Sequence, residues 1–197
     1  MSHHLHRVVS SEEERLILVD EQDREIGSLD KAACHDGEGV LHRAFSLFVF
    51  DAAGELLLQQ RSAGKRLWPL YWSNSCCSHP RYGETVEEAT ARRLREELNI
   101  EAELEFVYKF AYTARFGESG SENELCWVFL GRTGDRAVPN RHEIAAVRSL
   151  PADRVSAELA RDPQAFTPWF RLEWQRLERD WPELLRRYAQ PAAAARR

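Results

Sequence analysis

The chain has 197 residues, 43% of them hydrophobic and 30% charged, enough for one domain with a real core and too few for two. Its formal net charge of −5 argues against a broad nucleic-acid-binding surface, and no apolar run has the length of a membrane span or the flanks of a secretory signal.

Residues 1–13 are polar and read as a loose tail that contains His3, His4 and His6. "RLILVD", Arg15 to Asp20, predicts a strand, "EQDREIG" a turn, and "SLDKAACH" a short helix begun by Ser28. "HRAFSLFVFD", His42 to Asp51, predicts a strand that is apolar on both faces for most of its length. "DAAGE" then turns the chain, and "LLLQQR" returns antiparallel. The following "SAGKRLWPLYWSNSCCSHPRYGE" is irregular and rich in aromatic and turn-forming residues, and such a stretch inside a compact domain points to function. Thr85 to Asn99 is the clearest helix, with Thr85 and Glu88 forming a capping box and Asn99 suited to the left-handed C-terminal position. "AELEFVYKFAYTARF" and "ENELCWVFLGR" read as strands flanking "GESGS", and "EIAAVRSL" as another. "PADRVSAELARD" and "PWFRLEWQRLERDWPELLRRY" predict helices, the second strongly amphipathic, and residues 190–197 a second loose tail. With no internal repeat and no linker, the pattern predicts a single α/β domain over residues 1–197, a mixed sheet between helices.

Cys34, Cys76, Cys77 and Cys126 contain no CxxC pair, so a structural zinc knuckle is not expected. An adjacent Cys76–Cys77 disulfide would be strained, and all four read as reduced thiols of a cytoplasmic protein. In "NSCCSHP", Cys77 and His79 are two residues apart and share a side if the segment is extended, while Cys76 faces the other way. Pro80 keeps His79 out of helical conformation.

On the helix, Val86, Thr90, Leu94 and Leu98 form the buried stripe, and Glu97, eleven residues after Val86, falls back beside it. A carboxylate there needs a partner. A salt bridge to Arg93, one turn earlier, and a metal ion are the two readings, with Glu84 close enough to contribute. This segment resembles the signature of Nudix hydrolases. Glu84, Arg92, Leu94, Glu96, Glu97 and Ile100 match it, whereas Ser78, Arg93 and Asn99 replace a glycine, an acid and a glycine. In those hydrolases the acids gather magnesium around a diphosphate, so a cation at Arg93 argues against pyrophosphate hydrolysis.

"KAACH", "LHRAFS", "NSCCSHP", "SENELC" and "FTPWF" together resemble type I isopentenyl-diphosphate isomerases, in order and spacing, from about Leu16 to about Leu177. His35, His42 and His79 with Glu122 and Glu124 would suit a divalent metal of borderline softness, but spacing alone favours three unrelated histidines and two solvated glutamates on an edge strand. The resemblance implies a Nudix-type α/β/α sandwich with N- and C-terminal additions, and these five side chains as ligands of one ion (Mn2+, Zn2+ or Mg2+). It implies a second ion, Mg2+, held by Glu97, the backbone carbonyl of Cys77 and the substrate diphosphate. Lys31, Arg61, Lys65 and Arg93 are the diphosphate partners it suggests, although each alone reads as a solvated surface charge. His142 has no role.

The implied reaction interconverts isopentenyl and dimethylallyl diphosphate by protonation and deprotonation through a tertiary carbocation. Cys77 and Glu124 resemble the family's acid–base pair, with Tyr112 placed to relay a proton and Trp169 to face the cation with its ring. Cys77 as a thiolate would need a depressed pKa; as a bland alternative it is a small buried hydrophobe, and Trp169 ordinary core. A monomer acting on a small-molecule diphosphate, with no nucleic-acid or membrane partner, is expected. Rival readings are a Nudix pyrophosphohydrolase, a non-catalytic diphosphate or protein binder, and a structural metal protein.

Overall fold

The computed structural model describes residues 7–192, so His3, His4 and His6 lie outside the described residues. β1 (Arg15–Val19) and β2 (Glu25–Asp30) form an antiparallel pair around a tight turn, where Asp23 takes φ 63° and Asp20 Oδ1 accepts the N–H groups of Gln22 and Arg24. Ser28 therefore does not begin a helix. It lies opposite Ile17, and the Arg15 guanidinium binds its hydroxyl and its carbonyl, so pairing across the turn overrides its local capping preference. Only one turn, α1 (Lys31–Cys34), is helical.

β3 (His42–Phe50) is buried at every position except Arg43 because both of its faces are covered. Phe45, Leu47 and Val49 pack toward α2 (Val86–Leu98), while Ala44, Phe48 and Phe50 pack toward α4 (Pro168–Asp180), the alternation that a strand's period of two imposes. β4 (Leu56–Arg61) meets β3 only at Phe50 and Leu56 and runs instead along β9 (Ile144–Leu150). The irregular stretch after β4 holds two short strands, β5 (Trp72–Ser73) on β4 and β6 (Cys76–Ser78) on β3. β7 (Glu103–Arg115) and β8 (Ser121–Arg132) form a long hairpin, and β8 lies parallel to β3 along its whole length. The sheet is mixed and sandwiched between helices, as expected.

α2 carries the predicted capping box, and Asn99 takes φ 53° after its last turn. α3 (Ala152–Arg161) leads into α4 and α5 (Pro182–Tyr188). The single C-terminal helix expected from periodicity is interrupted at Trp181. Pro182 has no N–H to continue the ladder, and the Trp181 ring stacks on Tyr108 with centroids 4.6 Å apart.

Glu173 faces the core from α4 and is fully buried without a cationic partner among the described residues; its Oε1 lies 3.5 Å from Cys126 Sγ. Burial lifts its pKa from 4.5 to about 8, against the opposing hydrogen bonds of Ser46 and Cys126. Between those values the native state retains a proton that the unfolded chain has released, so stability falls as pH rises through this window. Glu173→Gln is expected to melt at a higher temperature than the wild type at pH 9 and at the same temperature at pH 4. Equal melting temperatures at both values would show that the carboxyl does not carry this cost.

Candidate active site

Strand register assembles one cluster from four segments. His42 opens β3 and lies opposite Glu124 of β8, while β6, on the other side of β3, delivers His79 just beyond Ser78. His35 closes α1. The β7–β8 hairpin is pinned to it, because Ser121 N–H donates to the His35 carbonyl at 2.9 Å and Gly120, at φ 137°, passes so close that a Cβ would lie 2.2 Å from that oxygen. Glu122 and Glu124 alternate on one face of β8, as expected. One ligand atom from each of His35, His42, His79, Glu122 and Glu124 lies within 4.8 Å of all the others.

The imidazoles are oriented from behind. His35 Nδ1 lies 2.7 Å from the Lys31 carbonyl and His42 Nδ1 2.7 Å from the Val40 carbonyl, so each holds its proton there and turns a bare Nε2 inward. His42 Nε2 is buried without a hydrogen-bond partner. His79 Nε2 is 2.8 Å from Glu124 Oε1, and His35 Nε2 is 2.9 Å from Glu122 Oε2, though not aligned for a hydrogen bond. Burial, then the neighbouring imidazoles, holds His79 well below its ordinary range, and burial, then His35, brings His42 down to about 4. Burial opposes protonation of His35 too, but the adjacent Glu122 charge outweighs it and raises its pKa. Burial, then the Glu122 charge, pushes Glu124 well up, and Tyr112 donates to Glu124 Oε2 at 2.5 Å. Inward-facing imidazoles, one with an orphaned nitrogen, beside two carboxylates, fit a divalent metal ion.

Cys77, Tyr112, Glu122, Glu124 and Trp169 line one cavity with His35, His79, Lys31, Arg61, Lys65 and Arg93. The cations are concentrated there: burial, then Lys65 and Arg93, lowers the Lys31 pKa. Lys31 Nζ rests on Ser10 Oγ, and Lys65 Nζ on Glu143. Arg93 is held by Glu97 at 2.6 Å and Glu143 at 3.4 Å, and donates to the Val9 carbonyl. Arg61 donates to the carbonyls of Leu67 and Trp68.

Glu97 stands apart from the five-residue cluster. It is 2% exposed and pairs with Arg93, the salt-bridge reading, with Cys76 Sγ 3.5 Å away. Glu84 is bound by two nitrogens of Arg92 at 2.7 Å each.

The paired cysteines face opposite ways. Cys76 is fully buried against α2, and Cys77 is half-buried on the cavity side. Cys77 Sγ lies 2.7 Å from Asn74 Oδ1, 3.1 Å from Trp169 Nε1 and 3.5 Å from Ser46 Oγ. Cys77 as a thiolate would need a depressed pKa, and the surrounding protein groups act in the other direction. Burial, then the charge of Glu173, pushes Cys77 up to about 12, against hydrogen bonds from Ser46, Ser73 and Trp169. Sequence reasoning missed Asn74, Ser46 and Glu143. Asn74 stands inside the quoted motif, but nothing local in the other two signals their place.

A family model described as "NUDIX domain" matches residues 40–170. The chain is 46% identical to the isopentenyl-diphosphate Delta-isomerase of Burkholderia multivorans, over 80% of this chain and 89% of that protein. It is 40% identical to isopentenyl-diphosphate Delta-isomerase 1 of Photorhabdus laumondii, over 82% and 93%. Among solved structures, DR0079 from Deinococcus radiodurans matches with TM-score 0.69 and 26% identity, covering 84% of this chain and all of that one. The MutT protein from Methanosarcina mazei matches with TM-score 0.58 and 17% identity, over 71% and 94%.

Proposed function

The chain belongs to the Nudix superfamily and, within it, to the isopentenyl-diphosphate Delta-isomerases, and from that membership we infer that it interconverts isopentenyl and dimethylallyl diphosphate in isoprenoid biosynthesis. The observation that carries the reading beyond the comparisons is the convergence of Cys77, the Tyr112–Glu124 pair and the cations Lys31, Arg61, Lys65 and Arg93 on one cavity.

The alkene is unactivated, so the reaction needs an acid against one face, a base against the other, and shelter from water for the tertiary cation between them. Cys77 and Glu124 are the two proton-exchanging groups. Burial and the Glu173 charge push the Cys77 thiol up to about 12, so it keeps its proton at neutral pH, while burial and the Glu122 charge push Glu124 up and a bound divalent ion would favour its ionised form. In one direction a proton leaves one of them for the terminal alkene carbon, and the other, ionised, takes a proton from the carbon nearer the diphosphate. Tyr112 bonds Glu124 Oε2 and can relay the proton Glu124 gains or loses. Trp68, Tyr112, Phe116 and Trp169 meet as neighbouring rings and form an apolar wall that excludes water. Lys31, Arg61, Lys65 and Arg93 bind the diphosphate.

His35, His42, His79, Glu122 and Glu124 would hold a divalent ion (Mn2+, Zn2+ or Mg2+), which supplies positive charge that favours ionised Glu124. Glu97 and the Cys77 carbonyl would hold Mg2+ with the diphosphate. No described helix is long and apolar enough to cross a membrane. Four free thiols support a reducing, cytoplasmic setting, and we infer a monomer with no nucleic-acid partner.

The test is incubation with isopentenyl diphosphate and magnesium, following the dimethylallyl isomer by proton NMR. Release of phosphate or a monophosphate without isomer would point to pyrophosphate hydrolysis. Arg93 offers a finer check. Arg93→Glu would set a third carboxylate beside Glu97 and Glu143, and is expected to lose both fold and diphosphate affinity. Arg93→Gln is expected to raise KM about tenfold, the worth of one charged hydrogen bond, with a smaller change in kcat. An unchanged KM would mean that Arg93 serves only the Glu97–Glu143 pair.

A further inference from the structure

We propose that Glu173, as a neutral acid, is a positioning residue that turns the hydroxyl of Ser46 onto the sulfur of Cys77. The inference rests on the assignment of Cys77 as a proton-exchanging group.

The fold stacks the three side chains. Ser46 lies directly opposite Cys77 where β6 pairs with β3, and its Oγ is 3.5 Å from the Cys77 sulfur. By the strand's period of two, Ser46 shares the face of Ala44 and Phe48, which packs toward α4. Glu173 comes from α4 to meet it. Ser46 and Cys126 both hydrogen bond its carboxyl, with Cys126 Sγ 3.5 Å from Glu173 Oε1 and 3.5 Å from Ser46 Oγ. Glu173 does not line the cavity, so it acts on the reaction only through the groups in front of it.

Its surroundings keep the carboxyl uncharged. Glu173 is fully buried, and Oε2 has no hydrogen-bond partner, so a carboxylate would leave a charged oxygen unpaired. Arg176, three residues further along α4, is given to the rings of Tyr108 and Trp181 and to Asp180. The titratable groups around Glu173 are Cys77 of β6, Tyr108 of β7, and Glu124 and Cys126 of β8. Burial raises the pKa of all four, the Glu122 charge comes next for Glu124, and the charge of an ionised Glu173 would raise each further. Burial accordingly holds the proton on Glu173 up to about pH 8.

That proton sets the direction of the chain. A carboxylate only accepts, whereas a carboxylic acid has one O–H to donate. Protonated Glu173 gives its O–H to Ser46 Oγ, and the single proton of Ser46 is then free for the Cys77 sulfur. The Cys77 thiol keeps Asn74 Oδ1, 2.7 Å away, as its own acceptor. Ionised Glu173 reverses the order. Ser46 then donates to the carboxylate, and the sulfur loses a donor and gains a negative charge behind it.

The consequence for the chemistry is direct. When the S–H proton leaves for carbon, the sulfur keeps the electron pair, and the O–H···S contact becomes charge-assisted. An interaction that strengthens as charge develops lowers the barrier instead of only tightening binding.

The experiment follows kcat, KM and alkylation of Cys77 by iodoacetamide, read by peptide mapping, at pH 7 and pH 9. Ser46→Ala is expected to lose about tenfold in kcat at pH 7, the worth of one charged hydrogen bond, with KM within about twofold. Glu173→Leu, which has no O–H to donate, is expected to lose about as much. Glu173→Gln should recover most of that loss, because its amide donates to Ser46 and cannot ionise. At pH 9 the glutamine variant is expected to exceed the wild type about fivefold, in kcat and in Cys77 alkylation, and this gain should shrink to within about twofold when Ser46→Ala is added. Parallel pH profiles for the wild type and Glu173→Gln would overturn the proposal, and that comparison stands whether or not Glu173→Leu folds. An undiminished gain in the Ser46→Ala background would overturn it too, since the charge would then reach the sulfur without the hydroxyl. Alkylation needs no turnover, so it judges the Glu173–Ser46 contact separately from the isomerase reading, whereas an active Cys77→Ala variant removes the Cys77 assignment itself.

Discussion

Cys77→Ala is expected to lower the isomerisation rate by about a hundred- to ten-thousand-fold, the range for loss of a general acid or base, while Cys76→Ala costs little by comparison. The two thiols are chemically equal and adjacent, and differ only in direction. β6 is extended, so the Cys76 sulfur enters the layer under α2, near Glu97, and the Cys77 sulfur enters the cavity with its contacts to Asn74, Trp169 and Ser46. Removing Cys76 deletes one small buried group and leaves the cavity intact. Removing Cys77 deletes a proton-exchanging atom that no neighbour replaces, since Ser46 and Ser73 hydroxyls are far weaker acids. An alkylating agent should inactivate the wild type and Cys76→Ala alike, with substrate protecting both. A dead Cys76→Ala beside an active Cys77→Ala would move the chemistry to the other side of the strand and end the assignment.

Metal removal is expected to have an effect of similar size. Stripping divalent ions should abolish turnover, and adding them back should restore it. His79→Ala and His42→Ala should each lower the bound metal found by elemental analysis. His42 is the more telling position. Its Nε2 is buried and has no hydrogen-bond partner, a cost that a buried polar atom ordinarily avoids and that coordination would relieve. The same ion should stabilise the fold, by about 2.7 kcal/mol at a hundredfold excess over its Kd, so the melting temperature gives a readout independent of turnover. Full metal content in His42→Ala would take His42 off the ligand set, and a melting temperature insensitive to every divalent ion would take away the site.

What the sequence determined by itself was local. The Thr85–Glu88 capping box, the left-handed Asn99, the buried stripe with Glu97 on its edge and the opposed directions of Cys76 and Cys77 all follow from residues a few positions apart, whose geometry is set by the period of one element. The resemblance of five short motifs added the ligand set, which spacing alone left open. Tertiary structure decided what depends on distant partners. Ser28 is a strand residue because β1 lies beside it, and the C-terminal helix stops at Trp181 where Tyr108 receives the ring. The five ligands meet because β3 lies between β6 and β8 in one register, and a slip of one residue would turn His42 away from Glu124. The Cys77 thiol is raised and not lowered because burial outweighs its hydrogen bonds, and burial is a property of the packed chain that no single segment carries. The Trp169 N–H reaches that sulfur only because α4 begins where Thr167 meets Ser73, a contact between residues 94 positions apart.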